Sequence, residues 1–221
     1  MCNITVISTY HTERGKCNSD ELYKIIKSIN PEVIFEELPI SLFNIIYNGN
    51  LPTLPSDAPL ELKCVKKYLQ DHYTKHFPVD LDSNPNLSKD ENFMFSTFAK
   101  NEDYKKLESE FYLVLTKEGL DFLNSDEYLD FLERKNSLER RILESAINHK
   151  KLLDTYKIFY EKIDKRENAM LQNIYNYSRE NLFKSAVFLL GSGHRKSLIK
   201  KILQYQEQSE IKLNWTIFNC K

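Results

Sequence analysis

The chain has 221 residues, 31 basic against 32 acidic, with 29% charged and 41% hydrophobic positions and a formal charge of −1. That balance supplies no global field for nucleic acid or an anionic surface, and no apolar run approaches the roughly 18 residues a membrane span needs. The four cysteines (Cys2, Cys17, Cys64 and Cys220) lie far apart with no Cys-x-x-Cys pair, so neither a zinc ribbon nor a disulfide scaffold is indicated.

The length suits a single domain over 1–221 with its own hydrophobic core. Reduced thiols, and a first strand with no basic-then-apolar leader before it, lead to the expectation of a cytoplasmic protein. Residues 3–9 are rich in β-branched side chains and predict that first strand. A polar loop follows, turned by Gly15. Asn18 or Ser19 can cap a helix whose Asp20 and Glu21 suit its positive end. Asn30-Pro31 stops that helix, and residues 32–36 read as a second strand. Two strands joined by a crossover helix are expected to run parallel.

After Pro39 the sequence predicts a short helical stretch over 40–47, a Pro-rich loop to Pro59, a helix over 60–74 and a short third strand over 77–82. From 88 to about 178 there is no strand pattern. Helices are predicted over 102–115, 126–153 and 154–178, with recurring aromatic residues such as Phe111, Tyr128, Phe131, Tyr156 and Tyr160. This insertion could wall a sheet edge as a lid or pair with another copy as a homodimer. The chain then returns to a strand at 185–190, a helix at 195–206 and an alternating strand over 211–218. The expected fold is α/β: a mixed, largely parallel central sheet flanked by helices, with a large helical insertion in mid-chain.

The candidate chemistry lies at strand ends. His11 follows the first strand, Glu36 and Glu37 end the second, and His194 follows the run Phe188 to Gly193 of a late strand. Open α/β sheets bind ligands at the carboxyl ends of their strands. Taken singly, each of these residues is an ordinary loop position; their joint placement carries the argument. Two imidazoles with a carboxylate can hold zinc, manganese or cobalt and leave positions open for water. Arg166, in a helix, could clamp an anion or steady an oxyanion, with Arg14 and Arg195 weaker candidates of the same kind. His72 and His76, four apart, offer a possible metal-binding helix face, but the predicted helix is ending there. His149 reads as a surface residue. Gly191-Ser192-Gly193 lacks the spacing of a nucleotide-binding loop, and no nucleophile elbow surrounds Ser192.

In this order the motifs resemble those of the TraB/Tiki superfamily (TraB/PrgY/GumN-like proteins, distantly related to the erythromycin esterases). They are His11 after the first strand, Val33 to Pro39 with its paired glutamates, Arg166 to Met170, and Gly191-Ser192-Gly193-His194. That family carries two Gly-x-x-His motifs bracketing a glutamate and an arginine. Gly191 to His194 matches the second in full; Ser8 stands where the first has glycine. The family glutamate maps best onto Glu37, with Glu36 the alternative, and Asp80 is a looser match. The resemblance implies a mixed α/β fold. It also implies a divalent-metal-dependent protease like the Tiki members or an ester hydrolase like the esterase branch, although other members bind or regulate.

Three readings follow. In the first, a divalent metal (Mn, Co or Zn) is held by His11, Glu37 and His194, Glu36 or Glu37 is general base on the bound water, and Arg166 steadies negative charge. Its substrate is a peptide or small molecule. In the second, His11 is itself the base and no metal is needed. The third keeps the fold for binding alone.

Overall fold

The structure, a computed structural model, describes residues 2–49, 54–82 and 86–219. Five strands build one sheet: β1 (Cys2–Thr9), β2 (Val33–Pro39), β3 (Lys75–Asp80), β4 (Ser185–Gly191) and β5 (Leu213–Ile217). Their order is β3-β2-β4-β1-β5 and every pairing is parallel. The α/β class therefore holds, and the sheet is wholly parallel where a mixed one was expected. β1 and β2 do not neighbour each other, because β4 lies between them.

Two layers cover the sheet, sorted by side-chain alternation. Ile7, Ile34, Val187 and Leu189 face α1 (Ser19–Ile29) and the helix after it, where Leu22, Ile26, Leu60, Val65 and Tyr68 complete the core. Asn18 caps α1 by accepting from the Glu21 amide, and Asn30 ends it in the left-handed region at φ 50°. A short α2 (Ile40–Phe43) widens into a π turn at Asn44–Asn48 and precedes α3 (Leu60–Asp71). The opposite sheet face, with Ile4, Val6, Phe35, Phe188 and Leu190, packs on Met170, Leu171 and Ile174 of a long late helix and on Leu198 and Ile202 of the last.

The mid-chain stretch is helical throughout: α4 (Lys89–Lys100), α5 (Glu102–Glu118), α6 (Leu120–Leu123), α7 (Asp126–Ser145) and α8 (His149–Glu180). The helix boundary predicted at 153/154 falls instead at 146–148. There the chain reverses, so that Tyr160 reaches Asn136 and Tyr156 reaches Glu139 across an α7/α8 hairpin. No glycine or proline marks this turn, which left sequence periodicity without a stop signal. The aromatic residues that suggested a lid or a paired copy are largely spent within this layer, as in the Phe111, Tyr128 and Phe131 stack. Among the described residues no helix is long and apolar enough to cross a membrane.

The expected helix over 60–74 stops at Asp71, because Lys75 donates to Glu32 and is drawn into β3 beside β2. His72 and His76 therefore do not share a helix face. His72 stacks on Tyr68, while His76 lies in the sheet against Glu36. His149 is exposed at the start of α8.

Candidate active site at the carboxyl edge of the sheet

β4 sits between the strands that bear His11 and Glu37, and this placement creates the site. Gly191 ends β4 in register with Thr9 of β1. A tight turn over Ser192–His194 then leads into α9 (Arg195–Gln208). A Cβ built on Gly191 would stand 3.1 Å from Glu37 Oε2 and 3.2 Å from His11 Nε2. Glycine is needed here for close approach. At Gly193 a Cβ would meet nothing within 4 Å.

Alternation along β2 decides which glutamate joins. Glu37 shares the face of Val33 and Phe35 and looks toward α8; Glu36 looks the other way. Glu36 is buried, accepts from the Tyr47 hydroxyl at 2.7 Å and pairs with His76 Nδ1 at 2.8 Å. Of the two glutamates, only Glu37 meets His194.

A chain of buried ion pairs holds this edge. Arg166 donates to Glu37 Oε1 at 2.6 Å and grips Asp80 with Nε and Nη2 at 2.7–3.1 Å. The Gly191 amide donates to Glu37 Oε2 at 2.6 Å. His194 Nε2 lies 3.2 Å from Glu37 Oε1, and its Nδ1 lies 2.8 Å from Glu167 Oε1. Glu167 in turn accepts from Ser197 and pairs with Lys201 at 3.1 Å. Four carboxylates (Glu37, Asp80, Glu167 and Asp164, the last 2.6 Å from Lys201) thus face three cations (Arg166, His194, Lys201).

The ionisation states follow from this enclosure. Burial opposes charge on His194, but the hydrogen bonds and attraction of Glu167 and Glu37 outweigh it and lift its pKa to about 9. Burial likewise opposes charge on Glu37, yet His194, Arg166 and the Gly191 amide bring it down to about 2. Glu167 is lowered on the same balance, with His194 and Ser197 prevailing over burial. At neutral pH, His194 is an imidazolium clasped between two carboxylates.

His11 differs. Its side chain is 60% exposed, and its Nδ1 lies 3.2 Å from Glu61 Oε1 of α3. The Thr9 hydroxyl donates to the same Glu61 oxygen. Among the described residues, no hydrogen bond falls on Nε2, the ring nitrogen nearest Gly191. The Glu61 hydrogen bond raises the pKa of His11, burial partly offsets it, and the Glu37 charge adds to the rise. This is a histidine oriented at one nitrogen and open at the other.

His11, Gly191, Gly193, His194, Glu167 and Ser197 line one side of a cavity of about 670 Å³ between the sheet edge and the helical layer. Such a volume suits a small organic molecule. The other walls carry Tyr104, Phe111, Tyr128, Phe131, Phe159 and Tyr160.

No family model, curated protein or solved structure matches this chain.

The geometry brings together His11, Glu37 and His194, with Arg166 behind Glu37, and sets Glu36 on a separate face. Arg166 spends its donors on Asp80 and Glu37 and does not line the cavity, which makes it a positioning residue. Arg14 lies over the Tyr112 ring. Arg195 is buried and binds the Asn124 carbonyl at 2.7 Å, with a longer contact to Ser8 Oγ. Ser8 lies inside β1, not in a turn, and its backbone is held in both directions by the Asn124 side chain at 2.8 and 2.9 Å.

Glu61 and Glu167 escaped sequence reasoning, since each sits on a helix among ordinary polar neighbours, as did Asn124, in the turn after α6. Only Glu167, adjacent to Arg166, carried a positional hint. As ligands for a cation, the trio His11, Glu37 and His194 presents one free donor, His11 Nε2. Both nitrogens of His194 face carboxylates, and both oxygens of Glu37 accept hydrogen bonds. Among the described residues, no group of three His, Cys, Asp or Glu side chains is arranged to hold a metal.

Proposed function

We propose that the protein is a hydrolase of ester or amide bonds in small molecules, with His11 as general base. The observation that carries this reading is the His11 imidazole itself. Glu61 holds its Nδ1, its Nε2 is free among the described residues, and it stands on the wall of a cavity at a strand's carboxyl end. With Nδ1–H donated to Glu61, Nε2 is the basic nitrogen. It can take a proton from water as that water attacks a carbonyl carbon, and return the proton to the leaving group. Glu61 Oε2 is buried without a partner, so the carboxylate keeps acceptor capacity as the imidazolium forms. The neighbouring His194, held on both nitrogens by carboxylates, and the ion pairs around it keep Glu37 and Gly191 in place.

The resemblance to the esterase branch of the TraB/Tiki group agrees with this reading. A divalent metal on His11, Glu37 and His194, as in the metal-dependent branch, would require His194 and Glu37 to give up their present partners. One experiment separates the two. Aryl esters and aryl amides of graded size are offered to untagged protein with and without chelator. We expect hydrolysis that survives the chelator and falls roughly 10²–10⁴-fold in His11→Ala. Loss on chelation with recovery on adding manganese, cobalt or zinc would establish the metal-dependent reading instead. Binding without turnover in every case would make this a binding protein.

A further inference from the structure

Charge is unevenly spread along the cavity. Near the sheet, the His194 cation, Lys196 and Lys200 of α9 line it together with Glu167 and Asp164, and Lys196 pairs with Glu133 at 2.8 Å. Away from the sheet, the charged lining consists of Glu108, Lys135 and Glu139, set among Tyr104, Phe159 and Tyr160. Lys135 is committed to Glu108 at 2.8 Å. Glu139, only 4% exposed, pairs with no lysine or arginine among the described residues. It accepts from the hydroxyls of Tyr156 at 3.0 Å, Tyr104 at 3.4 Å and Tyr160 at 3.5 Å. Two carboxylates thus share one cation, leaving this aromatic end with an excess negative charge. A buried carboxylate served mainly by neutral hydroxyls is costly unless a cation joins it. In keeping with this, burial pushes the Glu139 carboxyl above its ordinary pKa despite the attraction of Lys135.

We propose that the aromatic end of the cavity binds an organic ammonium group, with Glu139 as counter-charge and the tyrosine and phenylalanine rings as its cage. Ring faces attract cations, and the lining already shows this habit, with the Lys135 ammonium 5.5 Å from the centre of the Tyr104 ring. The inference rests on the hydrolase reading only in calling the bearer of the cation a substrate. It follows that the cleavable bond lies at the His11 end and the amine at the other. A substrate so bound is oriented by Glu139, which lies at the end of the cavity away from His11.

The test uses two ligands of nearly equal shape, benzyltrimethylammonium and its uncharged carbon isostere neopentylbenzene, titrated into the full-length protein by calorimetry. The cation should bind about tenfold more tightly than the isostere, and Glu139→Gln should bring the ratio close to one. Should Glu139→Gln fail to fold, Glu108→Gln carries the test. Its side chain is 24% exposed, and its loss frees Lys135 to neutralise Glu139. The same collapse of the ratio is then expected. Absence of cation binding, an isostere that binds as tightly, or a ratio that survives both substitutions would overturn the proposal. His11→Ala should keep the ratio, so failure of hydrolysis and failure of cation binding are read separately.

Discussion

Arg166→Met offers the sharpest test of how the site edge is held. In the native chain this guanidinium makes four hydrogen bonds to two carboxylates, Asp80 and Glu37, whose side chains are only 6% and 8% exposed. Methionine fills much of the same volume but leaves Asp80, among the described residues, with only the neighbouring Leu81 amide as partner. Glu37 would keep His194 and the Gly191 amide. Removing one partner of a buried ion pair costs about 3–5 kcal/mol. Since Arg166 is itself 30% exposed, water can reach the vacated space, and the lower end, about 3 kcal/mol, is expected. Urea denaturation at pH 7 measures the loss. Asp80→Asn made in the Arg166→Met background removes the stranded charge and should recover about 1–2 kcal/mol. An Arg166→Met protein within about 1 kcal/mol of the parent, or a double variant whose losses simply add, would refute the claim that these charges act as one unit.

His194 carries a pH signature. Its folded pKa of about 9 lies above the ordinary value near 6.5, so its stabilisation is complete below about pH 6.5 and is lost as pH rises through 9. The parent should therefore lose about 3 kcal/mol over that window beyond what His194→Gln loses, measured as unfolding free energy against pH; parallel curves would contradict it. Gly191→Ala should destabilise by about 1–3 kcal/mol through crowding of Glu37 and His11, while Gly193→Ala should fold with near-parental stability, as thermal denaturation would show. Glu61→Gln should move the acid limb of the pH–rate profile to lower pH, because the Glu61 hydrogen bond is the main cause of the raised His11 pKa. It should also slow turnover by roughly 10- to 10⁴-fold. An unmoved limb would separate Glu61 from the chemistry.

The roles within the site divide by exposure. The charged array of Arg166, Glu37, Asp80, His194, Glu167 and Lys201 is mostly buried and mutually paired, suited to holding shape. His11 is open, suited to meeting a ligand. A histidine pair that looks symmetric as motifs is therefore asymmetric in three dimensions: one imidazole is bound on both nitrogens by carboxylates, the other on one.

Local chemistry made much of this protein legible from its sequence. Runs of β-branched residues mark the strands, Asn18 and the Asn30-Pro31 pair bound the first helix, and the Gly191 to His194 turn declares a strand-to-helix junction. Strand ends are where sheets of this class bind ligands, so His11, Glu37 and His194 could be named before any coordinates, and Arg166 as a helical residue able to reach them. What sequence could not decide was adjacency, because strand order depends on which strand packs between which others. That β4 enters between β1 and β2, and so draws Gly191 against both His11 and Glu37, is a tertiary outcome. The partners Glu61, Glu167 and Glu139 belong to the same class. Each is one acidic residue on a polar helix, and only packing removes it from water and gives it a histidine or a ring of tyrosines to face.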